Sequence, residues 1–110
     1  MKDRGVFLRH LADCLQRIRE YTADGRELFL QDRKTQDAVI RNLEVAGQIV
    51  RDIGPEALAA ECPEIPWVRI AGARNILAHQ YLGVDLSLVW NIVEHDLAAL
   101  EAAVARLLAK

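Results

Sequence analysis

The chain lacks the features that hold a protein in a membrane or send it out of the cell. No apolar run approaches the roughly 20 residues that a membrane-spanning helix requires. Residues 1–5 lead into a charged amphipathic segment and do not form a signal-peptide core. The two cysteines, Cys14 and Cys62, have no CxxC spacing and are typical of reduced thiols. We therefore expect a cytoplasmic protein with no membrane contact.

An excess of charge of one sign is also missing. The chain has 14 basic and 16 acidic residues, so its formal net charge is −2. Nothing global attracts a polyanion, and nucleic-acid binding would need a local basic cluster. The sequence has no glycine-rich phosphate loop and no Walker pattern. His10 and Cys14 are one helical turn apart, but no third metal ligand accompanies them. We predict neither a metal site nor a cofactor.

Strand-like alternation, internal repeats and low-complexity tracts are absent, and what remains is helical periodicity. Apolar residues recur at three- and four-residue steps, as at Leu8, Leu11 and Leu15. The length of 110 residues fits a single domain over 1–110. The pattern predicts an all-α fold, an up-and-down bundle of four main helices plus a short extra helix.

Start and stop signals bound these helices. Asp3 can cap the first helix, which should fade at 21–25. Asp32 or Thr35 can cap the second helix, and Gly54 should stop it. Three short elements are also predicted: a turn or helical piece over 26–32, a short helix over 55–62 and a linker over 63–66. A third helix should run from Pro66 to Gly83. A fourth helix, capped by Asp85 or Ser87, should carry an apolar stripe from Val89 to Leu107.

The most informative stretch is 74–81, where three functional side chains are set among apolar ones. Arg74 can hold a phosphate with a planar, permanently charged fork. His79 can move a proton near neutral pH. Tyr81 adds a hydroxyl that can donate, accept or be modified. Asn75 can orient His79 or a phosphate oxygen. These groups suffice for phosphodiester chemistry without a metal.

Helical geometry separates two of these groups. Arg74 and Tyr81 are seven residues apart and share a face, whereas Arg74 and His79 differ by about 140° and roughly 7.5 Å along the axis. One regular helix therefore does not place both on one phosphate. Either the helix loosens near Gly83, or two copies combine across a two-fold axis. A symmetric homodimer would collect two arginines and two histidines in one groove.

RNA suits such a groove because it carries its own nucleophile, the 2′-hydroxyl. His79 would act as base or acid, and Arg74 would stabilise the charge of the transition state. The products would be a 2′,3′-cyclic phosphate and a free 5′-hydroxyl.

The same residue types also have ordinary structural roles. Arginine, histidine and tyrosine near a helix end often cap it or lie along apolar surface. Trp67 and Trp90 can stack on bases, although core or interface packing is more typical. Residues 94–96 are interpreted as a solvated helix face. Arg33, Lys34 and Arg41 either extend a basic rim or are simply exposed.

The Arg-X4-His-X-Tyr pattern of residues 74–81 resembles the signature of HepT-like toxins of the HEPN superfamily. The resemblance extends over nearly the whole chain in family order, with blocks at 18–21, 36–44, 63–67 and 89–93. It implies a helical-bundle homodimer with metal-independent ribonuclease activity in a cleft between the subunits. Arg74 and His79 would be catalytic, and Asn75 would be the supporting polar residue. Gln48 departs from the pattern, since the family often has Gly-Glu where this chain has Gly47 and Gln48.

The resemblance also implies a partner and an off-switch. In systems with a minimal nucleotidyltransferase antitoxin, the tyrosine receives AMP from ATP, which maps to Tyr81. An adenylate there would bring negative charge and bulk beside Arg74. The alternative function is a non-catalytic HEPN dimer that binds RNA, nucleotide or a partner protein, and a plain interaction scaffold is a third interpretation.

Overall fold

A computed structural model describes residues 3–79, 83 and 85–110, and for 74–79 it describes the backbone alone. Every regular element in this part of the chain is a helix, which confirms the all-α class. The helices are α1 Arg4–Tyr21, α2 Arg26–Gln31, α3 Arg33–Ile53, α4 Pro55–Glu61, α5 Trp67–His79, α6 Leu86–His95 and α7 Leu97–Leu108.

Aspartate side chains cap three of the helices. The carboxylate of Asp3 accepts from the backbone N–H of Gly5 at 2.9 Å, as predicted. Asp32, not Thr35, caps α3, and the Thr35 hydroxyl donates to it at 2.6 Å. Asp85 caps α6 by accepting from two backbone N–H groups at 3.0 and 3.2 Å. Each cap satisfies donors that have no partner within the first turn of a helix.

The boundary between α3 and α4 depends on one glycine. Gly54 has a φ of +110°, a conformation that side chains with a Cβ rarely adopt. Pro55 follows as the first residue of α4, where its missing N–H costs no hydrogen bond. The sequence-predicted stop at Gly54 is therefore confirmed.

The core lies along α1, which packs against α3 and α7, while α3 also packs against α5. The apolar stripes predicted from the sequence supply it, and each fully buried Leu, Val or Phe stabilises the fold by about 1.5–3 kcal/mol. The largest fully buried side chains are Trp67, Phe29, Leu11, Leu15, Ile18, Leu58, Val39, Val50, Val89 and Val104.

The prediction of one continuous fourth helix is wrong. Asp96 interrupts it, so that α6 and α7 are separate helices. The break is one residue wide, because Asp96 still donates to the carbonyl of Ile92 and accepts from the N–H of Leu100. Its carboxylate accepts from the Arg69 guanidinium of α5 at 3.1 Å to each oxygen, a contact that a regular helix register does not predict.

In the part of the chain that the structure describes, no helix combines the length and the apolar character needed to cross a bilayer.

Candidate active site

The helix that carries the motif is fixed at its start by Trp67. This side chain is 1% exposed, and its indole N–H donates to the carbonyl of Cys62 at 2.9 Å. Ala71, one turn later, is also buried. The prediction that Trp67 packs in the core is confirmed. Trp67 fixes α5 about two helical turns before Arg74.

The backbone is helical through three of the four predicted site positions. Arg74, Asn75 and His79 all belong to α5, whereas Tyr81 lies outside the described residues. Because no turn is loosened between 74 and 79, these positions keep the separation of about 140° around the helix. The loosening that the sequence allows near Gly83 would involve residues 80–82, which lie outside the described residues, so it stays a prediction, as does the combination of two copies.

The first half of one face of α5 is apolar and open to solvent in the single chain. Val68 is 72% exposed, and a Cβ placed on Gly72 would meet no other atom within 4 Å. At about 100° per residue, positions 75 and 79 fall on the same face as Val68 and Gly72. An exposed valine beside an uncovered glycine is the kind of surface on which a second helix can approach closely.

Arg51 lies next to this face and was not singled out from the sequence. It lines a shallow cleft of about 230 Å³ together with Pro55, Val68, Ala71 and Gly72. Arg51 occupies the last turn of α3, and its side chain is exposed. It is a candidate third cation of the site. Only the packing of α3 on α5 reveals it, because 17 or more residues of sequence separate Arg51 from Val68 and from the motif.

Gln48, the departure from the family pattern, is placed on α3 beside the buried Gly47. Its side-chain amide donates to the Asp52 carboxylate one turn further on, at 3.0 Å. A carboxylate is therefore present on this part of α3, although Gln48 itself is uncharged.

The remaining candidates have structural roles. Cys14 is buried, and its burial raises the pKa of the thiol, so it is held in the unreactive protonated form. His10 is exposed, and no set of three or more possible metal ligands occurs among the described residues. Trp90 packs against Phe29 with ring centroids 5.5 Å apart. Arg33, Lys34 and Arg41 are exposed, and Arg41 lies 3.9 Å from Glu44.

The run 94–96 is only partly the solvated face that the sequence predicted. Glu94 and His95 are exposed, but Asp96 is half-buried and paired with Arg69. This pair joins α5 to the α6–α7 junction.

Fold and motif together define a class of all-helical domain in which an arginine and a histidine lie five residues apart late in one helix. Residues 11–107 match the family model described as Ribonuclease HepT-like. This match covers most of the chain, and the chain belongs to the HepT-like family within the HEPN superfamily, as its sequence indicated.

Curated relatives agree with this assignment. The chain is 38% identical to "Probable ribonuclease HepT" of Thermococcus cleftensis over 92% of both chains. It is 31% identical to a "Putative RNase" of Caldanaerobacter subterraneus over 100% of this chain and 98% of that protein. It is 34% identical to "Gamma-glutamylcyclotransferase and putative RNase" of Methanocaldococcus jannaschii, matching with 97% of its length but spanning only 48% of that relative. No solved structure matches.

Proposed function

We propose that this protein is the toxin of a HEPN/minimal-nucleotidyltransferase toxin–antitoxin system and a metal-independent endoribonuclease. The observation that carries the proposal is the Arg-X4-His pair on α5 within a HepT-like chain. Relatives named as ribonucleases support an RNA substrate.

The chemistry uses the nucleophile of the substrate. His79 accepts the proton of the 2′-hydroxyl or protonates the leaving 5′-oxygen, and the second function comes from the partner copy or from water. The 2′-oxygen bonds to phosphorus as the bond to the 5′-oxygen breaks. Arg74 stabilises the negative charge that builds on the phosphate oxygens. The products are a 2′,3′-cyclic phosphate and a 5′-hydroxyl.

A symmetric homodimer completes the site in this proposal. The contact surface is the face of α5 with Val68 and Gly72, because these two positions are apolar and open and the same face carries positions 75 and 79. Packing of this face on its two-fold copy brings both motif helices to one cleft, with Arg51 of each chain at its border.

The direct test is cleavage of a labelled RNA by the purified protein in EDTA. We expect cleavage that persists in the chelator, and we expect it to fall by at least about 100-fold in His79→Ala, the lower end of a general acid–base contribution. His10→Ala is the matched control, because His10 is an exposed histidine on α1. Intact wild-type RNA after long incubation at high protein concentration would contradict the proposed activity.

Regulation by AMP transfer is a second testable part of the proposal. Incubation with ATP and the nucleotidyltransferase partner should add AMP-sized mass increments to the wild type and silence it. Tyr81→Phe should gain no mass, because it lacks the accepting hydroxyl. Tyr21→Phe is the control, since Tyr21 is the only other tyrosine and lies exposed on α1. Equal mass gain by Tyr81→Phe would rule out this acceptor.

A non-catalytic HEPN dimer that binds RNA, nucleotide or a partner protein is the second candidate. The net charge of −2 and the uncharged Gln48 favour it. RNA retention without products in the cleavage assay would establish it over the enzyme.

A further inference from the structure

A groove separates α5 from α6, and the proposed cleavage chemistry does not use it. Its volume is about 460 Å³, within the range of sites that hold a small organic ligand. Arg69, Ile70 and Ala73 form one wall, and the floor is the apolar side of α1 and α3. Leu88, Asn91, Ile92 and His95 of α6 belong to the facing wall.

The groove is open to solvent along α6. Leu88 is 44% exposed although it belongs to the groove wall. Protein interiors are normally close-packed, with few voids larger than a water molecule. An apolar space of this size with an uncovered leucine at its edge is therefore a place where an occupant would gain contact area.

Two polar side chains on the α6 wall are available to such an occupant. Asn91 and His95 are one helical turn apart, both are exposed, and neither makes a hydrogen bond or an ion pair with any described residue. The neighbouring Arg69 and Asp96 are paired with each other across the end of the groove. Recognition would thus come from an amide and an imidazole.

The α5 wall leads directly into the motif. Ala73 immediately precedes Arg74, and Ile70 is one turn before it. At about 100° per residue, position 74 lies about 40° around the helix from Ile70, on the side of α5 that borders the groove. A phosphate bound at position 74 would therefore have the mouth of the groove beside it.

We infer that this groove binds a nucleobase of the RNA next to the scissile phosphate. Flat, largely apolar bases that are splayed out of a single strand stack on apolar and imidazole surfaces and are read along their edges by hydrogen bonds. An asparagine amide offers a donor and an acceptor side by side, which matches adenine best. The groove then makes the enzyme prefer adenine at the base it holds. This inference rests on the proposed function for its link to cleavage, but not for base binding itself.

Titration with nucleotides tests base binding without any cleavage. AMP should shift the NMR signals of Ile92, Asn91 and Ala73, whereas ribose 5-phosphate should not. CMP should bind more weakly than AMP. Asn91→Ala should weaken AMP binding on the order of tenfold. Ala73→Leu should weaken it at least as much by filling the groove. Gln31→Ala and Ala98→Leu are matched controls at exposed positions outside the groove.

Cleavage of oligonucleotides that differ in one base gives the second measurement. The wild type should favour adenine next to the cut, and Asn91→Ala should reduce this preference while it still cuts. Cleavage with an unchanged base preference in both groove variants would overturn the inference and leave the enzyme proposal intact. Absence of cleavage with AMP bound in the groove would overturn the enzyme alone. A third outcome is that Leu88→Ser dissociates the dimer and that AMP shifts no signals of the wild type. This outcome would show that a second copy of the chain fills the groove, and it would also overturn the inference.

Discussion

Single residues of this protein are held in states that their neighbours impose, and Cys14 is the clearest case. Its thiol is 2% exposed on α1, and burial raises its pKa above the ordinary value of 9.0. The nearby Arg17 acts in the opposite direction but more weakly. Because the charged form is disfavoured only in the folded chain, folding and deprotonation of Cys14 oppose each other.

We predict that the free energy of unfolding falls in alkali partly because of Cys14. A pKa raised by folding gives stability that is complete below pH 9 and lost as the pH rises through the folded value. Urea unfolding from about pH 7 to about pH 10 should show a shallower fall in Cys14→Ala than in the wild type. Parallel curves for the two proteins would refute the prediction.

Gln48 shows how a residue-scale departure is absorbed locally. The sequence identified it as a missing family glutamate, and nothing in the sequence alone predicted its contact. In the fold its amide donates to the Asp52 carboxylate, so the uncharged side chain is still paired with an acidic group one turn along α3.

Helices are the scale at which sequence patterns were most informative. The caps Asp3 and Asp32, the stop at Gly54 and the start of α5 after Pro66 all follow from local chemistry and were predicted. The break at Asp96 was not, because it coincides with a contact to Arg69, 27 residues away. The spacing of apolar residues indicates which face of a helix is buried, but it does not indicate where a contact with another helix accompanies a break in the helix.

The sequence left two caps for α6, and the structure selects Asp85. We predict that Asp85→Ala lowers the free energy of unfolding by about 1 kcal/mol, because two backbone N–H groups lose their acceptor. Thermal or urea unfolding measures this loss. Ser87→Ala serves as the control and should change stability little, since Ser87 is exposed and makes no side-chain cap. A larger loss in Ser87→Ala would reverse the assignment.

At the scale of the whole molecule, the sequence anticipated the motif but not its surroundings. Arg74, Asn75 and His79 could be proposed as site residues because they are close in sequence. Arg51 and the groove between α5 and α6 exist only through the packing of distant helices. The short stretch therefore predicts the type of chemistry, while the tertiary fold determines what borders it.

Assembly belongs to the same scale. We predict that Val68→Glu converts the proposed dimer to a monomer, because it places a charge on the open apolar start of the proposed contact face of α5. Light scattering should give the mass of one chain, and RNA cleavage should be lost with the dimer. Circular dichroism should be unchanged, since Val68 is already exposed in the single chain.

Val6→Glu provides the matched control. Val6 is also an exposed valine, 46% accessible, but it lies on α1. It should leave both mass and cleavage as in the wild type. A Val68→Glu protein that remains dimeric would place the interface on another surface.

The burial of Trp67 also makes the protein its own spectroscopic probe. An indole that is 1% exposed and bonded to the Cys62 carbonyl should emit at short wavelength, and exposure to water should shift that emission to the red. In Trp90→Phe it becomes the sole tryptophan, which can be excited selectively at wavelengths that tyrosine does not absorb, because the sequence contains only two tryptophans. The wavelength of its emission maximum would then report, in real time and without a label, whether the start of α5 is packed in the core.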